Sequence, residues 1–347
     1  MGGIHGGDVY RNHVDMDFSV NVNPLGMPKV MEAALHKAVE SCQRYPDLLA
    51  EKTKRAVCKM LKEMDGCKIL EEQLLFGNGA SELFMAIVHG VRPEKTVIPV
   101  PSFYGYEYAA QAGGGEIIYC GWKEEDLFQT LTEEIDLVFL ANPNNPTGRV
   151  VGKETVTELL RHCSKNGILV ILDECFAEFC ENNISMLPEI EDFENLVIVR
   201  AFTKIFSIPG VRLGYLVCSN PSLLERIGRQ LSEWNLSCFA QAAGCVCGGL
   251  GDFVRQTAAY VKAERGFLEE GLKQAGLRVF PSETNFILVY SETPLYAHLL
   301  ERGILIRDCK NFRGLGEGFY RIAVKSREEN EMLLKMIGEI NWKESAK

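Results

Sequence analysis

From residue 73 onward, short apolar runs alternate with stretches of helical periodicity. The runs are "TVIPVP" (96–101), "EIIYC" (116–120), "DLVFLA" (136–141), "ILVILD" (168–173), "LVIVRAF" (196–202) and "LGYLVC" (213–218). Runs this short and continuous read as strands buried on both faces. Helical stretches such as "KETVTELLRHCSKNG" (153–167) lie between several of them. That alternation predicts an α/β fold, a largely parallel sheet covered on both sides by helices. After about residue 240 the pattern changes to a long helix over 252–276, strand-like "LRVFPSETNFILVYS" and "GILIRDC", a closing strand "GFYRIAVKS" and a final helix over 327–340. This order predicts a smaller α+β layer. At the other end, residues 1–26 are rich in Gly, Asn and Asp and read as an arm with little regular structure. "MPKVMEAALHKAVESC" reads as an amphipathic helix that tolerates Pro28 in its first turn. The expected division is an arm over 1–26, a helix over 27–42 joining the small domain, a large domain over 43–240 and a small domain over 241–347.

The chemistry gathers where the runs end. In open α/β sheets ligands sit beyond the carboxyl ends of the strands. "DLVFLA" leads into Asn142-Pro143-Asn144-Asn145-Pro146-Thr147-Gly148, "ILVIL" into Asp173-Glu174, and "LVIVRAF" into Thr203-Lys204. An ionised carboxylate at the end of a buried strand is costly unless a cation or hydrogen bonds meet it. A glycine-rich turn, Gly77-Asn78-Gly79-Ala80-Ser81-Glu82, opens a helical segment, where backbone N–H groups form an anion site or the glycines merely supply flexibility. Arg212, taken alone, reads equally as a surface charge or a ligand. Together, an anion cup, a buried acid and a lysine fit pyridoxal phosphate: the lysine for a Schiff base, the acid for the pyridine nitrogen. No sequence-level role is evident for Glu174.

Charge and length narrow the field. A chain of 347 residues exceeds one small core, and its net charge of −10 argues against nucleic acid or an anionic membrane as partner. Anionic ligands would need local arginines to draw them in. The twelve cysteines form no CxxC pair, so they read as reduced, mostly core residues, with neither a metal site nor a disulfide framework expected. "MGGIHGGDVYRNHVDMDFS" lacks the apolar core of a signal peptide. No run approaches the ~18 apolar residues of a membrane span. These features predict a cytoplasmic protein.

"NPNNPTG", "DEC" and "TKIFSIPGVRLGY", in this order and spacing, resemble fold-type I pyridoxal-phosphate enzymes of the aminotransferase class, a likeness that covers nearly the whole chain. The resemblance implies a large domain with a mostly parallel seven-stranded sheet between helices, a smaller C-terminal α+β domain and an N-terminal arm. It implies Lys204 as Schiff-base lysine and proton carrier, Asp173 as partner of the ring nitrogen, and Asn145 as donor to the cofactor 3-oxygen. Phe103 falls where an aromatic ring stacks on the cofactor, and Gly79, Ala80, Ser81, Thr203 and Arg212 align with the phosphate cup. Tyr45 in "RYPD" resembles the tyrosine that reaches the cofactor phosphate of a partner subunit, so a homodimer is implied. Ala201 departs from the many relatives that carry a hydroxyl there.

Within the class, two subfamilies share these motifs: histidinol-phosphate aminotransferases and the threonine-phosphate decarboxylases of cobalamin assembly. "IHGGD" (4–8), "DFSVNVNPLGMP" (17–28) and "GILIRDCKNFRGLGEGFYRIAVKSREENEMLL" (303–334) are similar to the decarboxylases. So is Phe176, where aminotransferases typically place a tyrosine that donates to the 3-oxygen. On that likeness His5, Asn23, Arg307 and Arg321 are the candidate substrate contacts. Arginine suits a substrate carrying both carboxylate and phosphate, since its planar fork meets either bidentately. The expected reaction is decarboxylation of O-phosphothreonine, with O-phosphoserine as a further substrate. The alternatives are histidinol-phosphate aminotransfer and, more remotely, a non-catalytic cofactor-binding regulator.

Overall fold

A computed structural model describes residues 6–340. Its large sheet has seven strands: β1 (Leu74–Gly77), β2 (Lys95–Pro99), β3 (Glu116–Cys120), β4 (Leu137–Ala141), β5 (Leu169–Asp173), β6 (Leu196–Ala201) and β7 (Gly214–Val217). They lie in the order β1-β7-β6-β5-β4-β2-β3, and only β7 runs antiparallel to its neighbours. Apolar side chains alternate between two cores, which explains why the runs read as unbroken. Val138, Leu140, Val170, Leu172 and Ile198 face one layer, with Val57, Leu160 and Ala240 from its helices. Leu137, Phe139, Ile171, Val197 and Leu216 face the other, with Leu83, Ala109 and Leu224.

The register brings Gly77, Gly214, Ala201, Asp173 and Ala141 to one edge of this sheet. Because β7 alone runs the other way, its start lies beside the ends of the parallel strands. Lys204, just after β6, and Arg212, just before β7, are thereby delivered to the same edge.

The small domain is built on four antiparallel strands: β8 (Arg278–Val279), β9 (Phe286–Tyr290), β10 (Arg307–Asp308) and β11 (Phe319–Ala323), in the order β10-β11-β9-β8. Helices Gly251–Gln274 and Arg327–Gly338 cover it, and Leu268, Leu272, Leu333 and Ile337 are buried in its core. The N-terminal arm is more ordered than expected. Met16–Asp17 pairs in parallel with Ile304–Leu305, and Phe18 is fully buried in the small-domain core.

The helix expected over 27–42 forms as Lys29–Ala38 with a 3-10 turn at Val39–Ser41. The buried face is carried by Met31, which packs into the core shared with the large sheet, and the helix lies against helix Cys238–Cys245. The chain turns toward that core at Asn23, whose buried amide donates to the Ile205 carbonyl at 2.7 Å and to Thr257 Oγ1 at 2.8 Å.

Candidate active site

A cavity of about 230 Å³ opens at the functional edge of the large sheet and is closed on its far side by the small domain. At its floor, Asp173 ends β5 with 9% of its surface exposed. Its Oδ1 accepts the Cys175 N–H at 2.9 Å and its Oδ2 accepts the Tyr106 hydroxyl at 2.5 Å. Burial pushes the carboxyl up, and the hydrogen bonds from Cys175 and Tyr106 pull it partly back. No basic side chain of the described residues lies within ion-pair distance of it.

Lys204 sits in the short helix Phe202–Ile205 that follows β6 and lines the same cavity. Burial lowers its amine to about 8, and Arg321 and Arg212 add to the effect. Among the described residues, a buried acid without a cation and a half-buried amine without an anion therefore face one space. Each is costly alone, and a group offering both a basic ring nitrogen and an aldehyde would satisfy the pair.

The remaining walls fit such a group. Gly79 (φ +77°) caps helix Ala80–Val91, whose first turn carries Ser81. A Cβ at Gly79 would stand 2.4 Å from Arg212 Nη2, so only glycine lets the guanidinium lie over this turn. Arg212 is anchored by the carbonyls of Pro209 at 3.3 Å and Asn78 at 3.4 Å. Helix N–H groups plus a guanidinium make an anion cup, with Thr203 and Ser81 beside it in the cavity wall. Phe103, at the N-terminus of helix Tyr104–Gly113, also lines the cavity, its ring edge-on to Tyr106 at 5.6 Å. Asn145 lines the cavity, and its Oδ1 accepts from Arg321 Nη1. Phe176 is buried at the wall, edge-on to Phe286 at 5.1 Å, so this position offers no donor.

Arg307 and Arg321 come from the small domain and stand directly opposite each other on β10 and β11. Both are more than nine-tenths buried. Arg321 Nη2 donates to the Ser19 carbonyl at 2.9 Å, and its Nε has no partner among the described residues. Arg307 donates to the Asp308 carbonyl at 2.7 Å and to Asn311 Oδ1 at 2.8 Å. Burial and the neighbouring Arg307 cation lower Arg321 to about 10, with desolvation the larger cause. Like charges placed opposite each other across a ladder repel. An anion between them relieves that repulsion.

Three expected residues lie off the cavity lining, and a fourth lies outside the described residues. His5 falls outside the described residues, although Gly6, next to it, lines the cavity. Asn23 is buried in the backbone tie described above and does not reach the cavity. Gly79 shapes the cup through Arg212 without lining the cavity itself. Tyr45 is 81% exposed, its ring 4.8 Å from Trp234, and contributes nothing to the cavity of its own chain.

Other residues emerge only from the structure. Tyr106 is one, and its signal in the sequence was slight, a tyrosine on an apolar helix face. Arg313 is another, lining the cavity mouth with its guanidinium 4.0 Å from the Tyr119 ring centre and 3.2 Å from Glu107 Oε1. Glu174 now has partners. It accepts from Ser185 Oγ at 2.7 Å, from the Met186 N–H at 2.8 Å and from Arg200 at 2.9 Å. Arg200, 1% exposed, also holds Asp65 through two 3.0 Å bonds, and Glu178 lies 3.8 Å away. The cluster lies just behind Asp173 and fixes the end of β5 against β6. An arginine inside the apolar run "LVIVRAF" was the available clue.

Residues 14–337 match the family Aminotransferase class I and II. The chain belongs to that family. It is 32% identical to the threonine-phosphate decarboxylase of Salmonella typhimurium, over 92% of this chain and 89% of that one. It is 33% identical to the histidinol-phosphate aminotransferase of Thermoanaerobacter sp. strain X514, over 95% and 93%. The crystal structure of the histidinol-phosphate aminotransferase from Clostridium acetobutylicum superposes with a TM-score of 0.86 at 31% identity, covering 93% of this chain and 98% of that one. The family's cofactor is pyridoxal 5'-phosphate, and the cup, the acid and the lysine fit it. The chain is a fold-type I pyridoxal-phosphate enzyme.

Proposed function

We propose that this enzyme decarboxylates O-phospho-L-threonine to (R)-1-aminopropan-2-yl phosphate for cobalamin assembly. The observation that carries a phosphorylated amino-acid substrate is the pair of buried arginines facing each other across β10 and β11. Two guanidinia so placed call for two anionic groups, a carboxylate and a phosphate. Arg321, bonded to Asn145 beside Lys204, suits the carboxylate, and Arg307, farther along the small-domain wall beside Asn311, suits the phosphate. Gly6 at the cavity supports a role for the glycine-rich arm, His5 included, in covering the substrate.

Pyridoxal phosphate, when bound, supplies the electron sink for the bond broken at the substrate Cα. The protein decides which bond that is by holding the two anions. Where the arginines present the carboxylate as the group to be lost, CO2 would leave and Lys204 would return a proton to Cα. Asp173 would hold the proton on the ring nitrogen, Asn145 would donate to the 3-oxygen, and Phe103 would lie against the ring. Phe176 leaves the 3-oxygen without a phenol donor, which favours the decarboxylase reading.

A second reading is histidinol-phosphate aminotransfer. Aminotransferase relatives at comparable identity, and the likeness of the clostridial structure, favour it. The holoenzyme incubated with O-phosphothreonine and no keto acid separates the two. The expected result is stoichiometric CO2. No CO2, together with turnover of histidinol phosphate plus 2-oxoglutarate, replaces the first reading by the second. Tyr45 supports a homodimer in which each protomer completes its partner's phosphate cup, and sedimentation at micromolar concentration checks it.

A further inference from the structure

Away from the cavity, the segment carrying Tyr45 rests on helix Cys238–Cys245 through a short row of contacts. Cys42 Sγ lies 3.7 Å from Cys238 Sγ. The Tyr45 ring lies tilted against Trp234, just before that helix; Asp47 N–H donates to Gln241 Oε1 at 3.2 Å, and Gln241 Nε2 donates to the Asp47 carbonyl at 2.6 Å. Cys42 is exposed and Cys238 half-buried, so an oxidant in solvent reaches the pair. Cys42 ends the 3-10 turn Val39–Ser41, and Cys238 opens its helix. Six of the twelve cysteines are buried, and burial pushes those thiols up, Cys163 and Cys180 to about 12. The pair at 42 and 238 differs from them in combining access with a second sulfur in contact.

We infer that Cys42 and Cys238 form a reversible intrachain disulfide, a redox staple that fixes the Tyr45 segment on helix Cys238–Cys245. The sulfurs need to close from 3.7 Å to the ~2.05 Å of a disulfide, and both residues sit at element ends, Cys42 Sγ giving up its contact with the Ala38 carbonyl. The oxidant is a hydroperoxide. The more exposed Cys42, as thiolate, attacks the peroxide oxygen; the O–O bond breaks, the alcohol or water leaves, and Cys42 carries a sulfenic acid. Cys238, as thiolate, attacks that sulfur, the S–O bond breaks and water leaves. Two thiols are oxidised by two electrons and one peroxide is reduced. A dithiol reverses the change by exchange.

The consequence for the cofactor rests on the homodimer reading above. Three residues beyond Cys42, Tyr45 is placed to meet the partner's cofactor phosphate, and the staple holds it there. Oxidation then slows cofactor release by roughly fivefold or more, the lower end of ordinary coupling between sites.

The reduced holoenzyme is treated with one equivalent of hydrogen peroxide, alkylated and digested without reductant. The expected peptide joins residues 42 and 238, is lighter than its parts by two hydrogens, disappears with dithiothreitol and is missing from C42S and from C238S. Absence of that peptide, Cys42 paired instead with Cys245 or with another chain, or Cys42 carrying only sulfinic acid overturns the staple. Release of cofactor into a competing trap is followed in parallel on oxidised and reduced protein. Slower release in oxidised wild type, and not in peroxide-treated C42S, supports the link to Tyr45; equal rates in a fully cross-linked sample overturn that link. The peptide is read without any substrate, so its result stands apart from the choice between lyase and aminotransferase.

Discussion

Tyr106 and the Cys175 amide hold Asp173 in place before any ligand is considered, and Tyr106 does so from a helix on another part of the chain. Its hydroxyl favours the ionised acid, so Tyr106→Phe raises the carboxyl further and weakens its hold on a ring proton. A hydrogen bond to a charged group is worth about 1.5–3 kcal/mol. The expected loss in kcat for Tyr106→Phe is therefore about tenfold or more, with the fold retained, as steady-state kinetics and circular dichroism read it. Lys204 yields a second expectation. Its amine is neutral above about pH 8, where a free lysine at 10.5 would still be charged. Only the neutral amine is a nucleophile, so the rate at which apoenzyme captures the cofactor rises with pH and levels off near 8. A profile still climbing toward 10 would contradict the burial that lowers it. At this scale the sequence was informative wherever a residue broke its surroundings, as Asp173, Lys204 and Asn145 do at run ends. Tyr106 broke nothing. It sits among apolar helix positions, and its partner is 67 residues away.

The end of β5 is held by an element-spanning cluster whose members are separated widely along the chain: Asp65 from helix Glu51–Asp65, Arg200 from β6, and Glu174, Glu178 and Ser185 from the connection after β5. Removing the one cation would strand three buried carboxyls. Arg200→Leu is expected to cost about 3–5 kcal/mol, measurable by urea unfolding of the apoprotein. Burial raises Glu174, and it raises Glu178 from 4.5 to about 7. A group held higher in the fold than in the unfolded chain stabilises fully below its unfolded value, and that contribution fades as pH rises through about 7. Glu178→Gln should therefore flatten the stability profile between pH 4.5 and 7. The strands of this region were readable because continuous apolar runs between turn signals admit few other structures. The cluster was not, because Glu174 meets its partners only after three elements have packed. The N-terminal helix shows the same limit. Its periodicity located it to within a few residues, yet its packing partner, helix Cys238–Cys245, lies far along the chain.

Across the whole molecule the two domains meet over the cavity, and the loop after β10 reaches the large domain through Arg313, which pairs with Glu107 and lies over Tyr119. The Arg313 side chain is 52% exposed and that of Glu107 17%, so the pair is partly screened. A double-mutant cycle with Glu107→Gln and Arg313→Gln is expected to give a coupling of about 0.5–1 kcal/mol. It should appear in KM rather than kcat and shrink in high salt. Helix Tyr104–Gly113 gathers these contacts in one rigid body: Phe103 at its start on the cavity, Tyr106 on the acid, Glu107 on the small domain. Thermodynamic reciprocity then binds the two ligands together. To whatever extent a seated substrate draws the small domain onto this helix, it also strengthens retention of the cofactor, and by the same factor an empty cofactor site weakens the grip on substrate. Through that one helix, whatever coupling joins cofactor and substrate is the same quantity read from either side.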